Sequence, residues 1–225
     1  DNHAAALSIT NDAGSVAWEN EKVVQKAVED AGLNISYEFV SASYSVDSAG
    51  LQYFLNEFLS KGFGYFGHGH EHLNHDLLSF DDAYSSFKMC YDTMIEFGLK
   101  PVSYAYPGGF GYHISTQDAL KNSGFLSGRK FEKLDFDFPY IMPNNETQPS
   151  NWFQLPTLVM QAYNYEYCSI CINNTDELIP FLDNTIKLNA WLIITYHPIG
   201  REDLYGYYYL EDFKNDLEEI KKRDF

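Results

Sequence analysis

Four of the chain's seven histidines lie within eight residues, at His68, His70, His72 and His75. Neutral imidazole groups are good metal ligands, and at this density they would repel one another if protonated. His68 and His72 are four residues apart, which on a helical turn places both side chains within reach of one metal ion. His72 and His75 form a competing pair. One such pair is more often structural, but four histidines together with an acidic residue at another strand end favour a metal site.

Two further titratable residues follow short apolar segments, Asp12 near the start of the chain and His197 near its end. Asp12 could be a turn residue and His197 a core residue. With a metal they would instead form a hydrolytic site, in which the metal polarises a carbonyl, a carboxylate takes a proton from water and a histidine protonates the leaving group. Backbone groups at Tyr106, Pro107 and Gly108 could stabilise the oxyanion, or Pro-Gly-Gly could simply form a turn.

The elements that must position these residues alternate along the chain. Apolar segments predict strands at residues 4–10, 34–40, 63–66, 102–106, 125–127, 153–160 and 191–196. Amphipathic segments predict helices at 18–31, 47–61, 79–98, 116–121, 174–188 and 210–222, with a long loop over 130–151. This alternation predicts one domain, residues 1–225, built as a parallel sheet or barrel with helices outside. Ligands bind where the strands of such barrels end, which is where Asp12, the histidine cluster and His197 fall.

The composition narrows the classes of partner that the chain could bind. The net charge of −17 argues against nucleic acid and against an anionic membrane surface, and no apolar segment is long enough for a membrane span. The 17% aromatic content either fills the core or stacks on sugar rings, and mildly favours a carbohydrate. The chain has no signal peptide and begins at Asp1, as expected of a mature or trimmed fragment.

The three cysteines allow two interpretations. Cys90 lies on the apolar side of a predicted helix and is expected to be a buried thiol. Cys168 and Cys171 form a CxxC pair, for which a local disulfide or two ordinary thiols is the favoured explanation. Sequons at Asn34, Asn145 and Asn173 are weak signs of glycosylation.

Four segments, in order, resemble the motifs of the polysaccharide deacetylase family, also called the NodB-homology domain or carbohydrate esterase family 4. The chain's counterparts of Thr-Phe-Asp-Asp-Gly, His-Ser/Thr-x-x-His, Arg-x-Pro-Tyr and Leu-x-x-His are residues 8–14, 68–72, 103–109 and 191–197. Singly, only the histidine motif is strong, but together the four span nearly the whole chain.

The resemblance implies a distorted (β/α)7 barrel that removes acetyl groups, N- or O-linked, from a polysaccharide or oligosaccharide. It implies Asp12 as catalytic base, His197 as general acid, His68 and His72 as metal ligands, and the backbone after Pro107 as the oxyanion loop. The implied cofactor is one divalent metal ion, by default zinc, although cobalt, nickel and iron also suit such ligands. The expected location is outside the cell or in its envelope.

The chain differs from the family pattern in three places. Ala13 stands where the family has its metal-binding Asp, and a methyl group cannot coordinate a metal. An engineered Asp-to-Ala replacement is the favoured explanation; a natural pseudoenzyme, or an Asp12 that turns inward to ligate, are the others. Ala105 stands where the third motif has its arginine, and a terminal strand that the family often has is expected to be missing or to lie outside this sequence.

Two other functions stay open at this point. A barrel that has lost its chemistry would be a glycan-binding module, and the histidine cluster alone could serve a metal-binding or storage protein. If the family pattern holds, His70 and His75 are expected beside the substrate or behind the metal ligands.

Overall fold

The computed structural model describes residues 5–12, 18–131, 139–162, 171–204 and 206–225. The strands are β1 Ala6–Asn11, β2 Ser36–Phe39, β3 Gly64–Gly67, β4 Ser103–Ala105, β5 Ser127–Phe131, β6 Tyr140–Ile141, β7 Leu155–Met160 and β8 Trp191–Tyr196. The helices are α1 Trp18–Ala31, α2 Ser41–Val46, α3 Ser48–Tyr53, α4 Phe80–Glu96, α5 Ile114–Ser123, α6 Thr175–Lys187 and α7 Leu210–Lys221.

Seven parallel strands form a closed barrel in the order β1-β2-β3-β4-β5-β7-β8, and β8 pairs again with β1. The predicted (β/α)7 barrel with outer helices is therefore confirmed. The short β6 adds to β8 in the antiparallel direction. It lies within residues 130–151, for which a structureless loop was predicted, so that prediction was wrong at this point.

The chain divides into two compact units. The first unit comprises residues 1–36, 132–150 and 156–225, and the second comprises 37–131 and 151–155. The boundaries lie inside or beside strands of the barrel. One domain over residues 1–225 stays a prediction.

In the first unit, threonine hydroxyls connect three neighbouring strands. Thr195 Oγ1 lies 2.8 Å from Thr10 Oγ1 and 2.7 Å from Thr157 Oγ1, so β1, β8 and β7 are tied in one row. Helices α1, α6 and α7 bury their apolar positions in this unit, namely Val24, Val28, Leu178, Leu182, Phe213, Leu217 and Ile220. Burial of a side chain of this size stabilises the fold by about 1.5–3 kcal/mol.

In the second unit, the core is mostly aromatic. Tyr37 packs on Phe58 with ring centroids 4.2 Å apart, and Tyr104 packs on both Phe87 and Phe125 at 5.0 Å. All five rings are buried. Much of the aromatic content therefore fills this core, and its abundance is not by itself a sign of a sugar partner.

Several helix ends are stabilised by residues typical of such positions. The side chains of Asp47, Ser79 and Asn174 each accept a backbone N–H in the first turn of α3, α4 and α6, respectively. Gly62 and Gly98 follow helical segments with positive φ, as helix-terminating glycines do. In the described part of the chain, no helix has the length and apolar character needed to cross a membrane.

The predictions for the cysteines are confirmed in part. Cys90 is a buried free thiol on α4, and burial raises the pKa of its thiol to about 12. Cys171 is disulfide-bonded. Cys168 lies outside the described residues, as does Ala13.

Candidate active site

His68 directly follows β3 in the second unit. Its backbone N–H donates to the carbonyl of Phe39 at 3.0 Å, which continues the strand pairing by one residue. The preceding Gly67 is required by packing, because a Cβ there would lie 2.8 Å from the ring of Phe125. This close approach places His68 at the strand end with only 2% of its surface exposed.

Both ring nitrogens of His68 face oxygen atoms. Nδ1 lies 3.0 Å from the backbone carbonyl of Ala105, which can only accept, so Nδ1 carries the proton. In the neutral ring, Nε2 therefore holds a lone pair, as a metal ligand requires. Nε2 lies 3.4 Å from Oε2 of Glu38, which is 3% exposed.

His72 lies next to His68, with ring centroids 5.0 Å apart. The prediction that these two side chains meet is confirmed, but the predicted reason is wrong. Residues 68–74 form no helical turn. The chain reverses at Gly69, whose φ of +99° lies in the region that favours glycine, and the exposed His72 is brought back toward His68 by this loop.

The other two histidines of the cluster have structural contacts. His70 Nδ1 lies 2.9 Å from the hydroxyl of Ser41. His75 is 2% exposed, stacks on Phe87 at 4.2 Å and lies 3.0 Å from the Ser86 hydroxyl. Burial lowers the pKa of His75 to about 4. His75 is therefore a core residue and does not lie beside a substrate, while the alternative, a place behind the metal ligands, stays a prediction.

Pro107, Gly108 and Gly109 form a short turn directly after β4 and Tyr106. Gly108 and Gly109 both have positive φ, and a Cβ on Gly109 would lie 2.1 Å from the ring of Phe131, so this position needs glycine. Tyr106 is 1% exposed, and its hydroxyl donates to the carbonyl of Phe153. Tyr106 is thus a core residue. Of the three residues predicted to stabilise the oxyanion, the half-buried Gly108 is the one that could still contact a ligand.

Asp76 holds the loop that continues from this turn. Its Oδ2 accepts backbone N–H groups of Gly111 at 2.9 Å and of Tyr112 at 3.0 Å. Burial acts to raise the pKa of Asp76, but these hydrogen bonds, with others from Thr116 and His113, outweigh burial and lower it. Asp76 directly follows the histidine cluster in sequence and contacts in space the loop that follows the third motif, a link that spacing alone does not reveal.

Two buried charged residues share the sheet face of His68. Strand pairing aligns Ala105 with Arg129, whose guanidinium lies 4.7 Å from the centre of the Phe66 ring and which is 6% exposed. Phe66 and His68 alternate with Gly67, so they face the same side as Ala105. Glu38 and Arg129 were both missed from the sequence. The signal available was a charged residue inside a short buried strand, which is uncommon without a partner.

In the first unit, Asp12 and His197 occupy neighbouring strand ends. Asp12 N–H donates to the carbonyl of Tyr196 at 2.8 Å, and His197 is the next residue. Asp12 is 9% exposed and His197 is half-buried. The structure therefore brings together the two residues predicted as base and acid.

The donor chemistry of the histidine pair suits a divalent metal, because His68 is held by Ala105 in the tautomer that presents Nε2. Across the described ranges, however, no three His, Cys, Asp or Glu side chains already converge on a point that could hold a metal ion. The metal and its identity stay predictions.

No protein-family model and no curated protein matches the sequence. Solved structures do match the fold. A protein of Mycobacterium smegmatis assigned to the polysaccharide deacetylases has a TM-score of 0.70 at 12% identity, over 100% of this chain and 86% of that one. Puue allantoinase gives 0.67 at 13%, over 100% and 87%. A family 4 carbohydrate esterase pseudoenzyme from Bacillus anthracis gives 0.60 at 10%, over 98% and 62%. The TM-scores establish a shared fold, and at identities this low they establish the fold alone.

Proposed function

We propose that this chain, which has the fold of the polysaccharide deacetylases, is a hydrolase that removes acetyl groups from an acetylated polysaccharide or oligosaccharide. The observation that carries the proposal is the placement of His68. It follows a barrel strand, its Nδ1 is held by the Ala105 carbonyl, and its Nε2 is turned toward a buried carboxylate with His72 alongside. This is a prepared ligand residue at the end of the barrel where ligands bind.

The remaining residues have roles in the hydrolysis of an acetyl group. A divalent metal held by His68 and His72 would supply Lewis acidity to the acetyl carbonyl. Asp12 takes the proton from the attacking water, and His197 donates a proton to the leaving amine or alcohol. The backbone at Gly108 is the proposed donor to the oxyanion.

Two features support an extracellular carbohydrate as substrate. Cys171 is disulfide-bonded, which is typical of an oxidising compartment. The net charge of −17 disfavours polyanionic partners and suits a neutral or cationic glycan, such as one that gains amino groups on deacetylation. We propose that the chain works outside the cell or in its envelope, with zinc as the metal.

One observation favours a second function. Ala13 stands where the resembled motif has its metal-binding Asp, and one of the matched folds belongs to a pseudoenzyme. The second candidate is therefore a glycan-binding module without catalysis.

Acetate release from chitin oligomers, peptidoglycan and acetyl-xylan distinguishes the deacetylase from the glycan-binding module. The native chain and its Ala13→Asp variant are each assayed with zinc and with chelator, with His197→Ala as the matched variant. We expect zinc-dependent release by at least one form, and a loss on the order of 10²- to 10⁴-fold in His197→Ala. Sugar binding that is insensitive to chelator, without acetate from either form, would support the binding module and overturn deacetylation.

A further inference from the structure

We propose that Tyr207 and Tyr209 bind a sugar unit of the glycan beside the candidate general acid His197. The identity of the ligand rests on the proposed function. The tyrosine pair adds that the chain holds an oligosaccharide through more than its acetylated unit. All three residues belong to the first unit, and sugar binding is measured separately from acetate release.

The segment that carries the two tyrosines lies against His197. A Cβ added at Gly206 would lie 3.7 Å from the Cβ of His197, and the φ of Gly206 is +78°, a value that favours glycine. The carbonyl of the next residue, Tyr207, accepts the backbone N–H of Ala162 at 2.8 Å, two residues beyond the end of β7. Consecutive Cα atoms are about 3.8 Å apart, so the first tyrosine directly follows the residue that borders the candidate acid.

Tyr208 anchors the segment between the two tyrosines. Its side chain is fully buried, its backbone N–H donates to the carbonyl of Pro198 at 2.9 Å, and its carbonyl accepts the N–H of Gly200 at 2.8 Å. Side chains of an extended segment alternate between its two sides. Because Tyr208 points into the core, Tyr207 and Tyr209 share the opposite side.

The rings of Tyr207 and Tyr209 meet edge to face. Their centroids are 5.2 Å apart, their planes are inclined by 77°, and their hydroxyl oxygens are 3.1 Å apart. Tyr209 is 40% exposed and Tyr207 is half-buried. The pair therefore presents aromatic faces together with two hydroxyl groups at the surface, unlike the buried rings that form the core of the second unit.

A surface of this kind suits a sugar ring. One face of a pyranose carries C–H groups and packs on an aromatic ring, while its hydroxyl groups need partners that both donate and accept, as a tyrosine hydroxyl does. The contact between the two rings limits their rotation, so that less conformational entropy is lost when a ligand binds. The net charge of −17 disfavours a polyanion and suits a neutral or cationic sugar.

Isothermal titration calorimetry with N-acetylglucosamine, its tetramer and an acetylated xylan tetramer tests the tyrosine site. The native chain is expected to bind a tetramer more tightly than the monosaccharide. Tyr207→Ala and Tyr209→Ala should each weaken tetramer binding on the order of tenfold, since tyrosines in contact with a ligand are among the residues whose truncation costs most affinity. Tyr84→Ala is the matched control. It removes a half-buried tyrosine of α4 whose ring lies parallel to that of Phe80, and it should leave the affinity unchanged.

Tyr209→Phe keeps the ring and removes only the hydroxyl group, so it should fold and lose less affinity than Tyr209→Ala. Tetramer binding of equal strength in the native chain and both alanine variants would overturn the site, as would an equal loss in Tyr84→Ala. The absence of any tetramer binding to the native chain would overturn it as well. Tetramer binding that depends on the tyrosines, without acetate release by the native chain or by Ala13→Asp, would instead count against deacetylation alone.

Discussion

Among the described residues, both units contain buried carboxyl groups, and the surroundings of two of them, Glu38 and Asp216, differ in kind. In the second unit, Glu38 faces a nitrogen of His68. In the first unit, Asp216 on α7 is fully buried and accepts a hydrogen bond from the Tyr196 hydroxyl at 2.9 Å. Thr175 and Tyr208 also face Asp216, and Asp212 is the nearby like charge.

The difference lies in the partners that each carboxyl group meets. Burial raises the pKa of Asp216 to about 7, and the hydroxyl groups around it only partly oppose that effect. The hydroxyl donors favour the anion, but burial outweighs them, so the surroundings of Asp216 suit a structural group. Glu38, by contrast, faces a ring nitrogen of His68, which can carry a positive charge that a hydroxyl group cannot.

The largest effect is expected where one partner of the Glu38–His68 pair is removed. Glu38→Ala leaves a cavity and a buried Nε2 without its partner, and should lower the free energy of unfolding by about 3–5 kcal/mol. Glu38→Gln should stay within about 1 kcal/mol of the native chain without metal. Urea denaturation measures both, and equal losses in the two variants would contradict this expectation, because they would mean that the carboxylate charge, and not the shape that glutamine keeps, decides the stability.

A pH-dependent effect is expected at Asp216. Because its folded pKa lies above the unfolded value, the folded state binds the proton more tightly, and stability falls as the pH rises from about 4 through about 7. The loss approaches about 4 kcal/mol above that range. Asp216→Asn should match the native chain at pH 4 and be more stable at pH 8. Parallel stability curves for the two chains would contradict this.

A smaller effect is expected at the half-buried Asp76. Asp76→Ala removes the acceptor of the Gly111 and Tyr112 amides, and should lower stability by about 1–3 kcal/mol. Hydrogen exchange at those two amides should accelerate, since they hold the loop after Gly109. Asp118→Ala removes an exposed carboxylate of nearby α5 and should leave their exchange unchanged; acceleration in both variants would rule out a specific anchor.

The smallest effect is expected at an exposed helix end. Ser79 accepts the Asp82 N–H at the start of α4, and Ser79→Ala should cost about 1 kcal/mol. Ser85→Ala, at an exposed position inside the same helix, should be neutral or slightly stabilising. Thermal unfolding of the two variants gives the comparison, and a neutral Ser79→Ala would mean that the cap contributes nothing to the folded state.

Local patterns predicted most of the elements because they depend on nearest neighbours. β8 and the starts of the helices near residues 47, 79 and 174 were predicted from periodicity. Errors arose where distant residues decide. The core position of His75 depends on its contacts with Phe87 and Ser86. The approach of His72 to His68 depends on the turn at Gly69.

The sequence by itself determined the barrel, through the alternation of apolar strands and amphipathic helices, and the strand ends at which His68, His72, Asp12 and His197 lie. Only the tertiary structure decided which side chains face one another. Glu38 is 30 residues from His68 in the chain, and Arg129 is 24 residues from Ala105. Strand pairing brings such residues next to each other, and burial strengthens the interactions of their charges. Neither pairing nor burial is a property of a single segment, so the sequence alone does not reveal which side chains meet.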